Sequence, residues 1–152
     1  LKVSGFALSK DKGHADNFSY IEHAVPHCTS DELFKYILLG DSRGVFTGRI
    51  LVAQDAQKTQ AYQNNRNLLL SPTARMQSKP QLEIYADDVK CSHGMTTGQL
   101  SPEALFYMQQ RGIPREEAKL MLSHAFAEDV LERIPLDEEA EAIREHIAEQ
   151  LR

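Results

Sequence analysis

Short apolar runs, interrupted at close intervals by Gly, Asn, Asp and Pro, fill the chain from Leu1 to about Gly98. The clearest is Gly44-Val45-Phe46-Thr47-Gly48-Arg49-Ile50-Leu51-Val52, which is rich in β-branched residues, lacks a helical stripe and predicts a strand. Further runs follow near Asn67–Leu70, Arg75–Ser78, Leu82–Tyr85 and Val89–Cys91. Their centres fall roughly 7–10 residues apart, a spacing shared by β-sandwiches, barrels and β-solenoids that does not choose among the three. One segment carries a second pattern. Ser30–Leu39 has Leu33, Phe34, Ile37 and Leu38 at helical spacing behind Ser30 as an N-cap, while its neighbours favour a strand.

From Ser101 the pattern turns helical. Ser101 as N-cap, Pro102 at the first helical position and Glu103 in the first turn predict a helix that runs through Leu105, Phe106 and Met108 to a left-handed stop at Arg111-Gly112. Pro114 at the first position and Glu116 and Glu117 in the first turn begin a second. Its apolar face, from Leu120 and Met121 to Val130 and Leu131, extends to Ile134-Pro135. Asp137 is the expected cap of a third, Glu138–Leu151, whose stripe of Ala142, Ile143, Ile147 and Leu151 is thin enough to need a packing partner.

Length and charge narrow the classes. At 152 residues the chain is one large domain, or a small domain with an appendage, and its 26% charged and 41% hydrophobic content is that of an ordinary globular protein. Residues 101–152 hold 6 Lys/Arg against 12 Asp/Glu and residues 1–100 hold 11 against 10, so the net charge of −5 sits in the helical part. An acidic half argues against a nucleic acid or an anionic membrane as its partner and suits a basic protein surface or a solvated face. No run approaches the ~18 apolar residues of a membrane span, and no signal peptide starts at Leu1. Leu1-Lys2-Val3 reads as the interior of a strand, so the chain is expected to be part of a longer protein. Two cysteines, Cys28 and Cys91, make no disulfide framework, which points to a reducing, cytosol-like compartment.

The candidate chemistry centres on Cys91-Ser92-His93. Residues i and i+2 of a strand share a face, so a thiol and an imidazole would stand side by side, and these side chains suit iron, zinc or copper. Two donors cannot close a four-coordinate site, so a metal here needs ligands from elsewhere in the fold or from a second chain. A plain packing role for both remains the simpler alternative. His23, His27 and Cys28 form a second group, but their spacing does not put all three on one strand face and Pro26 suggests a bend. Glu83, Asp87 and Asp88 could serve as the acid and base of a carbohydrate-active β-solenoid, although Asp87-Asp88 also fits an ordinary turn between strands. No nucleophile elbow, phosphate-binding loop or dinucleotide fingerprint is present in the sequence.

Several words, taken in order, resemble one family. Gly44-Val45-Phe46-Thr47-Gly48, Ala56-Gln57-Lys58-Thr59, Arg66-Asn67-Leu68-Leu69-Leu70-Ser71, Lys79-Pro80-Gln81-Leu82-Glu83-Ile84, Ala86-Asp87-Asp88-Val89-Lys90-Cys91-Ser92-His93-Gly94, Ala104-Leu105-Phe106-Tyr107 and Arg111-Gly112-Ile113 look like the core of the SufB/SufD family of iron–sulfur cluster assembly proteins. The match runs over about residues 16–134, and Lys-Cys-Ser-His-Gly resembles the SufD branch. The resemblance implies a mainly β fold with α: a right-handed parallel β-helix over 1–98, truncated at its N-terminal end, then a small helical domain over 99–152. It makes Ser30–Leu39 part of a rung.

By function, the resemblance implies a non-catalytic scaffold subunit of the SUF complex in a bacterial cytosol or a plastid. Such a subunit pairs with a SufB-like protein and docks a SufC-like ABC ATPase through its helices, with Phe106, Arg111, Gly112, Ile113 and Pro114 as the candidate docking residues. His93 matches a histidine implicated as ligand of the nascent iron–sulfur cluster between subunits, and Cys91 matches its neighbour. The cluster is transient, shared with the SufB-like subunit, and none is expected on the isolated chain. Met95 stands where a smaller residue is usual, and the missing early rungs leave an open end at which a homodimer would form. A purely structural partner-binding module is the alternative.

Overall fold

The computed structural model describes residues 1–151; Arg152, the last residue of the expected helical part, lies outside the described residues. Seven strands come first: β1 (Lys2–Ser9), β2 (His14–His23), β3 (Thr29–Leu38), β4 (Arg43–Val52), β5 (Gln60–Leu69), β6 (Arg75–Ile84) and β7 (Lys90–Gly98). Three helices follow: α1 (Pro102–Gln110), α2 (Arg115–Leu131) and α3 (Asp137–Leu151). The odd strands form one sheet in the order β1-β3-β5-β7 and the even strands a second, β2-β4-β6, with every pairing parallel. Successive strands therefore alternate between two facing sheets. Thr29 lies opposite Gln60 and Gln60 opposite Lys90, which makes a coil of about 30 residues, repeated about three times. This is the parallel β-helix followed by helices that the resemblance implied.

Alternation along each strand separates an inner from an outer face. On β4 the inner residues Gly44, Phe46, Gly48, Ile50 and Val52 are all buried. They help form two apolar clusters, one with Ile21, Ala61 and Ala86 and the other with Tyr36, Leu38 and Ala74. Between the clusters the interior is polar, holding Glu32, Gln63 and Asn65, each fully buried.

Two segments depart from their local patterns. Ser30–Leu39 is strand β3 through Leu38, not helix, because it pairs with β1 on one side and β5 on the other while α2 packs on its outer face. A strand buried on both faces reads as a nearly continuous apolar run, and such a run mimics a helical stripe. The runs Arg75–Ser78 and Leu82–Tyr85 are not two strands but one, β6, with Lys79-Pro80 inside it. Pro80 pairs with Gly48, and β6 has β4 as its single neighbour, so the missing N–H falls on a strand that tolerates it.

The helices start and stop largely as their signals indicate. Ser101 caps α1 by accepting the Ala104 N–H at 3.2 Å, and Gly112 stops it with φ +84°. Pro114 is the N-cap of α2 rather than its first residue, and Asp137 is the first residue of α3 rather than its cap. Phe6 and Leu8, on the outer face of β1, pack against Ala127 and Leu131 of α2 and Ile147 of α3. Phe6, Leu8 and the α2 residues are the packing partner that the thin stripe required at Ile147 and Leu151.

A buried cation fixes α2 on this face. Lys35 is 2% exposed, and its Nζ donates to Phe126 O and to Asp129 Oδ2, both at 2.6 Å, while lying 4.6 Å from the Phe126 ring centre. Arg66 reaches the same carboxylate at 3.2 Å, and Arg133 pairs with Asp31 at 3.1 Å. Hydrogen bonding from Lys35 holds the Asp129 carboxyl below the usual aspartate range.

The two partners are unequal, since Asp129 is half exposed and Lys35 is not. Asp129→Ala strands a buried charge and is expected to lower stability by on the order of 3 kcal/mol, whereas Lys35→Met, which leaves a solvated carboxylate, costs about 1–2 kcal/mol. Urea midpoints at constant slope measure the difference, and equal losses would contradict the asymmetry. Because the folded carboxyl titrates below its unfolded range, its contribution is complete above about pH 4 and fades as pH falls further. Lys35→Met should flatten that acid limb.

Candidate functional site

β7 is both the last strand and the outer edge of its sheet. The chain leaves it for α1, so among the described residues no even strand follows β6 to face it. Register carries the inner rows of β5 onto β7: Ala61 lies opposite Cys91, Gln63 opposite His93, Asn65 opposite Met95 and Asn67 opposite Thr97. On β5 all four are buried. On β7 Cys91 is half-buried while His93, Met95 and Thr97 are exposed, because this coil is not closed by a facing strand.

Cys91 and His93 thus share one face, as their spacing indicates, and that face is the inner one at the open end of the solenoid. The Cys91 side chain packs on the cluster of Ile21, Ile50, Val52 and Ala61. Burial pushes its thiol up, against a smaller opposing pull from the Ala61 backbone. A thiolate is the metal-binding form, so Cys91 becomes a ligand only when a metal or cation displaces its proton. Met95 puts a thioether on the same face, where Thr97 Oγ1 lies 3.7 Å from its sulfur. Asn67 pins the far end of β7 by donating to Thr96 O at 3.0 Å and Thr97 Oγ1 at 3.1 Å.

No group of three or more His, Cys, Asp or Glu residues stands close enough to hold a metal among the described residues. The donor set at β7 is soft and incomplete. The second sequence group is dispersed. His23 is interior, its Nε2 2.9 Å from Ser30 Oγ, and burial pushes it toward the neutral form, whereas His27 and Cys28 lie in the turn that follows. The carboxylates are dispersed too. Glu83 pairs with Arg49 at 2.6 Å on the outer face of the even sheet, and Asp88 pairs with Lys58 at the turn before β7.

Among the α1 residues implied to dock an ATPase, Phe106 is 63% exposed beside an exposed Tyr107. Arg111 lies 5.2 Å from the Tyr107 ring centre and donates to its hydroxyl at 3.1 Å. Ile113 is half-buried between exposed Gly112 and Pro114.

Sequence reasoning passed over Gln63 and Glu32, one and two rungs below His93 in the same inner row. Gln63 Nε2 donates to Glu32 Oε2 at 2.7 Å, and Gly48 makes room for the amide, since a Cβ there would collide with it. The available signal was the run Gln60 to Asn67, whose alternate amides Gln63, Asn65 and Asn67 occupy inner positions where a strand core is ordinarily apolar.

Comparison with known proteins agrees with this architecture. The family model for the SUF system iron–sulfur cluster assembly SufBD core domain matches residues 1–126. The chain is 42% identical over 134 residues to the iron–sulfur cluster assembly protein SufD of Escherichia coli, covering 88% of this chain and 32% of that protein. It is 45% identical over 122 residues to the SufBD family protein slr0076 of Synechocystis, covering 80% and 27%, and 42% identical over 147 residues to the chloroplastic protein ABCI7 of Arabidopsis thaliana, covering 96% and 31%. The chain therefore spans about a third of the length of these relatives. With its parallel solenoid, its trailing helices and this family match, the chain belongs to the SufB/SufD family of iron–sulfur cluster assembly proteins and is SufD-like.

Proposed function

We propose that this chain is the core of a non-catalytic scaffold subunit of the SUF complex, pairing with a SufB-like subunit and offering His93, with Cys91, to an iron–sulfur cluster assembled between them. One observation carries the reading. His93 and Cys91 lie on the uncovered inner face of an edge strand, where unpaired backbone groups and a partial set of soft donors coincide. An open edge invites a second chain, and the same chain can supply the missing ligands. The cluster is cargo, held briefly and passed on, which suits a site left incomplete in one subunit.

The helical part then docks a SufC-like ATPase. The exposed Phe106, the Arg111–Tyr107 stack and the turn through Gly112, Ile113 and Pro114 form its contact surface. Among the described residues no helix is long and apolar enough to cross a membrane; on family grounds the work is assigned to the bacterial cytosol or a plastid. Without such a partner, the chain is proposed to pair with a second copy of itself through exposed solenoid edges. A structural reading is favoured for one residue, since Cys91 packs on the apolar cluster whether or not a metal is bound.

His93→Ala is expected to leave folding and complex formation intact, because the imidazole is exposed on an edge strand, yet to lose most of the cluster signal. Anaerobic iron–sulfide reconstitution of the complete SufB–SufC–SufD assembly, read by absorption and Mössbauer spectra, measures this; equal cluster in variant and wild type would sink the ligand role. At pH 7 the Cys91 thiol is protonated, so its alkylation by iodoacetamide, followed by mass spectrometry, should be slower than that of an exposed thiol and should accelerate only above the ordinary cysteine range.

A further inference from the structure

We infer that Gln63, oriented by Glu32, is the positioning residue that fixes which ring nitrogen of His93 carries the proton, and so which one is free to bind. This rests on the ligand role proposed for His93. Glu32, Gln63 and His93 follow one another in the same inner row on β3, β5 and β7, and in-register neighbours on adjacent strands lie about 4.8 Å apart. Glu32 and Gln63 are both fully buried. The Gln63 amide turns its NH2 toward Glu32, donating to Oε2 at 2.7 Å. That leaves Gln63 Oε1 as a buried acceptor without a partner.

Buried acceptors left unpaired are uncommon and destabilising, and a donor one rung above would satisfy this one. The imidazole N–H of His93 is the donor the register supplies. Rotated over the open end, the ring gives its N–H to Gln63 Oε1 and keeps the lone pair of its other nitrogen facing outward. Metal-binding histidines are ordinarily held this way, through the nitrogen that does not bind. The space for the amide is built in at Gly48, which any side chain would close. Glu32 touches only Gln63 in this chain of contacts, so its effect on His93 passes through the amide.

The test is the tautomer of His93 in the metal-free chain, read by two-bond 1H–15N correlation with 15N-labelled histidine and assigned with His93→Asn. Wild type is expected to show one dominant tautomer. Gln63→Met, close in volume and without an acceptor, should lose that preference and give the mixed tautomers of an exposed imidazole, with the buried His23 signal unchanged as evidence of an intact fold. Glu32→Gln, which lets the Gln63 amide face either way, should weaken the preference in the same direction and stands in if Gln63→Met does not fold. An unchanged tautomer in a folded variant overturns the proposal. In the assembled complex Gln63→Met should weaken cluster binding by about 10- to 100-fold. If the tautomer responds while His93→Ala retains full cluster, the ligand role fails and the positioning stands; if His93→Ala loses cluster while the tautomer ignores Gln63, the reverse holds.

Discussion

Each coil of a parallel solenoid depends on the next for two things: partners for the backbone groups along its edge and a facing strand to cover its inner side chains. In the middle of this chain both needs are met. β3 and β5 have strand neighbours on each side, and the even strands face them. At β7 neither need is fully met. The coil ends before an eighth strand, and the row that is buried as Ala61, Gln63, Asn65 and Asn67 emerges as Cys91, His93, Met95 and Thr97. The site is therefore not a pocket added to the fold but the inner face of the solenoid at the point where it stops.

The outer face follows a different rule. β1 presents Phe6 and Leu8, too apolar to face water, and α2 and α3 pack against them, while Leu33 and Ile37 on the same face of β3 are buried. Burying one such side chain contributes roughly 1.5–3 kcal/mol, which supplies affinity but little direction. Direction comes from Lys35. A buried ammonium with fixed acceptors at Phe126 O and Asp129 accepts one placement of α2 along β3, and Arg133 with Asp31 repeats the constraint nearer the helix end.

Local signals were readable where a segment answers to its own neighbours. The β4 run, the Ser101 cap and the Gly112 stop each depend on a few adjacent residues, and each was plain in the sequence. β3 and β6 were harder because their reading depends on position in the fold. Whether Leu33 to Leu38 is a helix or a doubly buried strand turns on what covers its second face, and whether Pro80 breaks a strand turns on whether that strand has a neighbour on both sides. Cys91 and His93 were legible as a same-face pair. That the face is the inner one, half-covered at Cys91 and open at His93, follows only from where the coils end. Glu32 and Gln63 belong together across 31 residues, a pairing fixed by register alone.

Strands β3 and β5 carry both devices at once. On their outer side Lys35 and Arg66 converge on Asp129 of α2; on their inner side Glu32 and Gln63 form the column that ends beneath His93. Successive residues of a strand point to opposite faces, so the groups that hold the helix and the groups that underlie the histidine share two short stretches of backbone, Glu32 to Lys35 and Gln63 to Arg66. Packed strands do not bend freely, and a displacement of α2 large enough to break the Lys35 contacts would load those stretches directly. With the proposed ATPase docked through the helices and the proposed ligand at the open edge, the two functions would need no long pathway between them. They would be the two faces of the same pair of strands.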